Sequence, residues 1–192
     1  MSDEPWSPVA FEQKYQASED PWDFASSPFE QGRYDDILEC LPKRVFAHAY
    51  EPGCSIGALT ERLAPRCERL DAVDVSPTVV ARARERCRDL PQVTVAVGSV
   101  ADAPPADLDL VVFAEIGYYF DVDELAAIAG RLCDAIVPGG CFLACHWLGE
   151  SVDHRLHGSV VHRVLEAELE TRGSLARHRG RPDYVIDVWT RR

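Results

Sequence analysis

Apolar residues along this chain gather in short runs separated by stretches of helical spacing, and that alternation sets the fold class. Val45–Tyr50, Leu70–Val75, Val93–Val97, Leu108–Ala114 and Cys141–His146 read as five strands. Between them the spacing predicts helices over Gly57–Leu63, from Ser76-Pro77 to about Arg88, and over Val122–Ala135, where apolar residues recur at 125, 128, 132 and 136. Ser76 and Asp121 suit N-caps, and Pro77 suits the first helical position. Pro104-Pro105 and Pro138-Gly139-Gly140 read as turns. A further helix fits Gly158–Thr171, and Tyr184–Trp189 closes as a last strand. Near-continuous apolar strands alternating with helices imply an α/β protein, with a mostly parallel sheet covered on both faces.

Ahead of this core lies a different texture. Residues 1–10 carry Pro5, Pro8 and acidic groups and are expected to be flexible. Residues 11–42 form a strongly aromatic cap, with Phe11, Tyr15, Trp22, Phe24, Phe29 and Tyr34, and helices fit about 11–17 and 28–41. Large aromatics in such a preface supply burial against a core, or else cover a ligand. The core then runs over 43–192, and 192 residues suffice for one domain.

In an open parallel sheet, ligands bind beyond the carboxyl ends of the strands. Those ends are Glu51–Gly57, Asp74-Val75, Gly98-Ser99-Val100, Glu115–Tyr119 and His146-Trp147. Residues 51–57 read Glu-Pro-Gly-Cys-Ser-Ile-Gly, and Asp74 follows at the end of the next strand. Glycine-bearing turns also occur without a ligand, wherever φ must be positive. A dinucleotide fingerprint starting at Gly53 needs glycine at 55 and 58, where this chain has Ser55 and Ala58. The pattern E-x-G-x-S-x-G instead resembles motif I of the S-adenosylmethionine-dependent methyltransferases. That resemblance implies a Rossmann-like class I methyltransferase fold. Adenosylmethionine has no phosphate, so a looser loop suffices, and Glu51 would favour a cationic ligand.

The rim offers groups for each part of that cofactor. Gly53, Cys54 and Gly57 belong to the loop that approaches the amino-acid moiety. Asp74 is short and acceptor-only when ionised, and its place at a strand end favours a ribose diol over the alternative of capping the following helix. Val75 adjoins it. Gly98, Ser99 and Val100 lie where such enzymes read adenine, with Asp102 as a further carboxylate nearby. Glu115 and Ile116 follow strand four, close to where the methyl group should point. An acceptor must be aligned and must lose its proton, and the candidate groups are Glu115, Tyr118, Tyr119 and His146. A lone histidine is often structural, but the neutral form of this one near physiological pH makes it a candidate base.

Composition narrows the partners. The formal net charge is −12, from 20 basic and 32 acidic side chains, which disfavours nucleic acid and anionic membranes and suits a neutral or cationic small molecule. Seven cysteines without a C-x-x-C read as buried free thiols, and no spaced ligand set points to a metal. No secretory leader or membrane-length apolar run is evident, so a cytoplasmic setting is expected.

Several phrases then resemble one family. They are Asp20-Pro21-Trp22-Asp23-Phe24, Arg33-Tyr34, the loop Glu51–Gly57, Arg66-Cys67, Glu115-Ile116-Gly117-Tyr118-Tyr119, Pro138-Gly139-Gly140, His146-Trp147 and the pair Gly158/His162. Over about residues 11–190 the chain is similar to nodulation protein S (NodS) and NodS-like methyltransferases. The resemblance implies N-methylation of an amine on a small molecule, such as an amino sugar or a deacetylated chitooligosaccharide, with adenosylmethionine as methyl donor. It also implies that the preface folds over the cofactor, with Tyr15, Trp22 and Arg33 as contacts. Trp22 would face the sulfonium and Arg33 the ligand carboxylate. An O-methyltransferase and a non-catalytic adenosylmethionine-binding module are the alternatives.

Overall fold

The computed structural model describes residues 4–192. The preface supplies two helices, α1 (Pro8–Ala17) and α2 (Pro28–Cys40), each with proline in its first turn, where a missing N–H loses nothing. The stretch expected to be flexible, 1–10, overlaps α1 from Pro8 onward, and residues 1–3 lie outside the described residues. Asp36 on α2 accepts hydrogen bonds from Tyr184 at 2.7 Å and from Arg181 at 2.6 and 2.9 Å. The preface is thereby tied to the far end of the sheet.

The core alternates as the apolar runs require: β1 (Ala49–Pro52), α3 (Ala58–Leu63), β2 (Leu70–Asp74), α4 (Pro77–Arg86), β3 (Val93–Val97), β4 (Leu108–Ala114), α5 (Val122–Asp134), β5 (Ile136–Trp147) and α6 (Gly158–Leu169). A terminal hairpin, β6 (Gly173–Gly180) and β7 (Tyr184–Arg191), completes a seven-stranded sheet of order β3-β2-β1-β4-β5-β7-β6. The first five strands pair in parallel, while β7 is antiparallel to both β5 and β6. Strand order reverses between β1 and β4, which opens a crevice at their carboxyl ends.

Strand alternation loads both faces. Leu110, Val112, Cys141, Leu143 and Cys145 pack with α2 and α3, whereas Val111, Phe113, Phe142 and Ala144 pack with α5 and α6. All seven cysteines are buried free thiols.

Three expectations are corrected. The first strand begins at Ala49 rather than Val45, because the N–H groups of Ala47 and His48 donate to the Asp109 carboxylate and leave the ladder. Pro138-Gly139-Gly140 does not precede β5 but lies within it, absorbed by a register shift against β4 between Leu108 and Leu110. The hairpin strand β6 was not expected: its Gly-Ser-Leu-Ala-Arg-His-Arg-Gly sequence is polar because it forms a sheet edge. Among the described residues, no helix is long and apolar enough to cross a membrane.

Candidate functional site

Positive φ at Gly53 (77°), Ser55 (50°) and Gly57 (78°) winds the chain from β1 into α3. A Cβ on Gly53 would meet Ile116 Cγ2 at 2.4 Å, so glycine lets the loops after β1 and β4 touch. Asp74 clamps this loop: its carboxylate accepts the N–H groups of Ser55 and Ser76, each at 3.0 Å. Burial raises the Asp74 pKa above the usual carboxylate range, and the same backbone N–H groups oppose that rise. Ser55 also accepts the Tyr15 hydroxyl at 2.6 Å, which fastens α1 over the loop.

The preface and the rim enclose a cavity of about 400 Å³, within the range of small-molecule sites. Tyr15, Trp22 and Arg33 line it from the preface; Gly53, Asp74 and Val75 from the ends of β1 and β2. Gly98, Ser99 and Val100 line it after β3, and Glu115, Ile116 and Tyr119 after β4. Phe11 packs edge-on to Tyr119 at 4.8 Å, and Trp22 stacks on Phe24 at 5.6 Å, so aromatic rings roof the cavity. Burial, followed by the charge of Glu115, pushes the Tyr119 hydroxyl above its ordinary range, so it is a hydroxyl at neutral pH.

Glu115 sits at φ 61° and is engaged through both oxygens. One carboxylate oxygen accepts the Trp147 N–H at 2.8 Å, and the other meets the Tyr118 hydroxyl at 2.5 Å and Arg33 at 2.8 Å. Arg33 also binds Glu30, one turn earlier on α2. Glu115 lines the cavity with one oxygen shared by Tyr118 and Arg33 and the other, bonded to the Trp147 N–H alone, keeping a lone pair.

Four predicted site residues stand apart from the cavity. His146 is fully buried, and its Nε2 accepts the Gly117 N–H at 3.0 Å behind the rim. Its Nδ1 lies 3.1 Å from His162 Nε2, and His162 Nδ1 lies 2.6 Å from Asp187. Gly117 can only donate, so His146 carries its proton on Nδ1, His162 likewise, and the chain ends on the carboxylate. Burial, then the His162 ring, lowers the His146 pKa well below its ordinary value. His146 supports the rim and does not line the cavity.

Glu51 is buried beneath the loop, bordering an adjoining pocket of about 40 Å³, and one of its oxygens has no hydrogen-bond partner. Burial lifts its pKa to about 8, so it is neutral at pH 7 and does not attract a cation as expected. Cys54 borders the same small pocket, and Gly57 is the N-cap of α3.

Residues not anticipated include Glu30, Ser55 and His154, all lining the cavity. From sequence Glu30 reads only as an ordinary i,i+3 partner of Arg33 on a predicted helix. His154 stacks on Tyr118 at 3.8 Å from a loop that has no periodic signal.

The strand order and the crevice at its reversal define a Rossmann-like class I methyltransferase fold. The sequence profile described as "Nodulation protein S (NodS)" matches residues 9–149, and the chain belongs to that family. It is 38% identical over 127 residues to nodulation protein S of Rhizobium tropici, covering 65% of this chain and 53% of that protein. It is 37% identical over 127 residues to nodulation protein S of Sinorhizobium fredii, covering 65% and 59%. The chain spans rather more than half the length of these relatives. In structure it is similar to N-methyltransferase NodS from Bradyrhizobium japonicum WM9 in complex with S-adenosyl-L-homocysteine, with TM-score 0.83 and 23% identity over 96% of this chain and 98% of that one.

Proposed function

We propose that this chain is an adenosylmethionine-dependent N-methyltransferase whose acceptor is an amine on a small molecule, with amino sugars and deacetylated chitooligosaccharides as the leading class. The observation that carries the reading is a carboxylate, Asp74, facing an aromatic-roofed cavity where the strand order reverses, in a chain of the NodS family. When bound, the cofactor supplies a methyl group activated by a positive sulfur.

The residues present fit that ligand. Asp74 offers acceptors to a ribose diol, and Gly98, Ser99 and Val100 flank the space left for adenine. Gly53 lines the cavity with the Ile116 side chain packed where its own side chain would be, and its backbone suits the amino-acid end. Trp22 and Phe11 bring ring faces that attract a sulfonium. Tyr119 acts as a hydrogen-bond donor that orients the acceptor, and Glu115 holds Tyr118 and the β5 end in place. Tyr119 stays protonated and does not take the acceptor's proton; the amine reaches the site already neutral, its proton lost to solvent.

The test is a thermal-shift panel of adenosylmethionine, adenosylhomocysteine and NAD, followed by mass-resolved assays with chitosan oligomers and amino sugars. The reading requires a shift with the two adenosyl ligands, none with NAD, and methyl on nitrogen.

A further inference from the structure

On α2 one guanidinium serves two acids. Arg33 is 2% exposed, its Nη2 meets a Glu30 oxygen, and its Nη1 lies 2.8 Å from Glu115. With both acids ionised, this buried cluster carries one more negative charge than positive. Glu115 distributes its charge over Arg33, Tyr118 and the Trp147 N–H. Glu30 does not: only its Oε2 is engaged, and its Oε1 has no hydrogen-bond partner among the described residues although the side chain lines the cavity.

We propose that Glu30 binds a primary ammonium group, the α-ammonium at the amino-acid end of the cofactor. A buried carboxylate with excess charge must take up a proton or a cation. Burial, against the pull of Arg33, pushes Glu30 to about 7, and Glu115 and Asp20 add to the rise. Tyr34 from its own helix and the Cys145 thiol of β5 also face it, and burial raises the pKa of each, so both are neutral near pH 7. Glu30 is therefore partly protonated at neutral pH, and an arriving ammonium replaces that proton.

Position identifies the source of the ammonium. Arg33 and Glu115 border both the main cavity and the small pocket over Gly53, Cys54 and Ser55, the loop that faces the amino-acid portion. An acceptor amine is the other source of the same chemistry, but it must approach the methyl group rather than this loop. The inference rests on the adenosylmethionine reading above. Each Nη of Arg33 meets one carboxylate and keeps a second N–H, so Arg33 organises the two acids without excluding a ligand carboxylate.

Isothermal titration of the full chain at pH 7, in two buffers of different ionisation enthalpy, tests this directly. The ligands are adenosylhomocysteine, methylthioadenosine (the same thioether nucleoside without the amino acid) and glucosamine. Adenosylhomocysteine is expected to release protons on binding, whereas methylthioadenosine releases none. In Glu30→Gln, adenosylhomocysteine should bind roughly ten- to a hundredfold more weakly, with the release abolished, while methylthioadenosine binds as before. Unchanged adenosylhomocysteine affinity and proton release in the variant would overturn the assignment. So would a variant defect confined to glucosamine. Where the variant also loses methylthioadenosine, the wild-type proton release decides, and its absence overturns the proposal. Failure of wild type to bind either nucleoside refutes the cofactor reading itself, a separate result.

Discussion

His146 Nε2 accepts the Gly117 N–H at 3.0 Å, and that bond makes the histidine a support for the turn that presents Tyr118 and Tyr119. The rest of its ring is committed to His162 and, through it, to Asp187. Replacing His146 by alanine leaves a buried N–H unpaired, which costs about 1–3 kcal/mol before any cavity effect. His146→Ala should therefore lower the urea midpoint and turnover together, with adenosylhomocysteine affinity nearly unchanged. Lost turnover at full stability would restore the histidine to the chemistry.

Gly117→Ala attacks the same contact from the other side. A Cβ there would meet Val161 at 2.5 Å and His146 Nε2 at 2.7 Å, both in a packed interior. Overpacking of this kind costs about 1–3 kcal/mol, and thermal denaturation should report it. An unaltered melting temperature would mean that the turn moves freely and that His146 does not hold it.

Glu51 gives a pH signature. Its folded pKa of about 8 lies above the ordinary glutamate value of 4.5, so the folded chain binds the extra proton. Stability associated with that proton is complete below 4.5 and is lost as pH rises toward 8, at up to about 1.4 kcal/mol per pH unit. Glu51→Gln keeps the shape and removes the ionisation. Its melting temperature should gain on wild type steadily between pH 5 and pH 8, and a constant difference across that range would contradict the burial argument.

Tyr119→Phe separates orientation from proton transfer. Because the hydroxyl stays protonated near neutrality, the variant should lose less than about a hundredfold in kcat. Its pH–rate profile should keep the wild-type limb, which is set by the acceptor amine. Disappearance of that limb would make Tyr119 the base.

The β1–β5 core was legible because strands buried on both faces read as unbroken apolar runs. The rim followed from it, since Asp74, Ser99 and Glu115 each close such a run. What misled was treating every polar residue at a strand end as facing the ligand. Alternation along β5 puts His146 on the face of Phe142 and Ala144, under α6, where His162 waits. Two inward histidines were the available signal. The edge strand β6 gave none, because one face of an exposed edge needs no apolar run. Glu30 was hidden for another reason: a carboxylate three residues before an arginine on a helix reads as an ordinary ion pair until a second acid, distant in sequence, shares the guanidinium.

Calorimetric titration of adenosylhomocysteine into wild type and Asp74→Ala puts the most weight on the fewest assumptions. One saturable site in wild type, weakened more than about tenfold by losing the carboxylate, is the predicted pair of curves. Wild type that takes up no nucleoside, or a variant that takes it up as well as wild type, would contradict the site described for the crevice between β1 and β4.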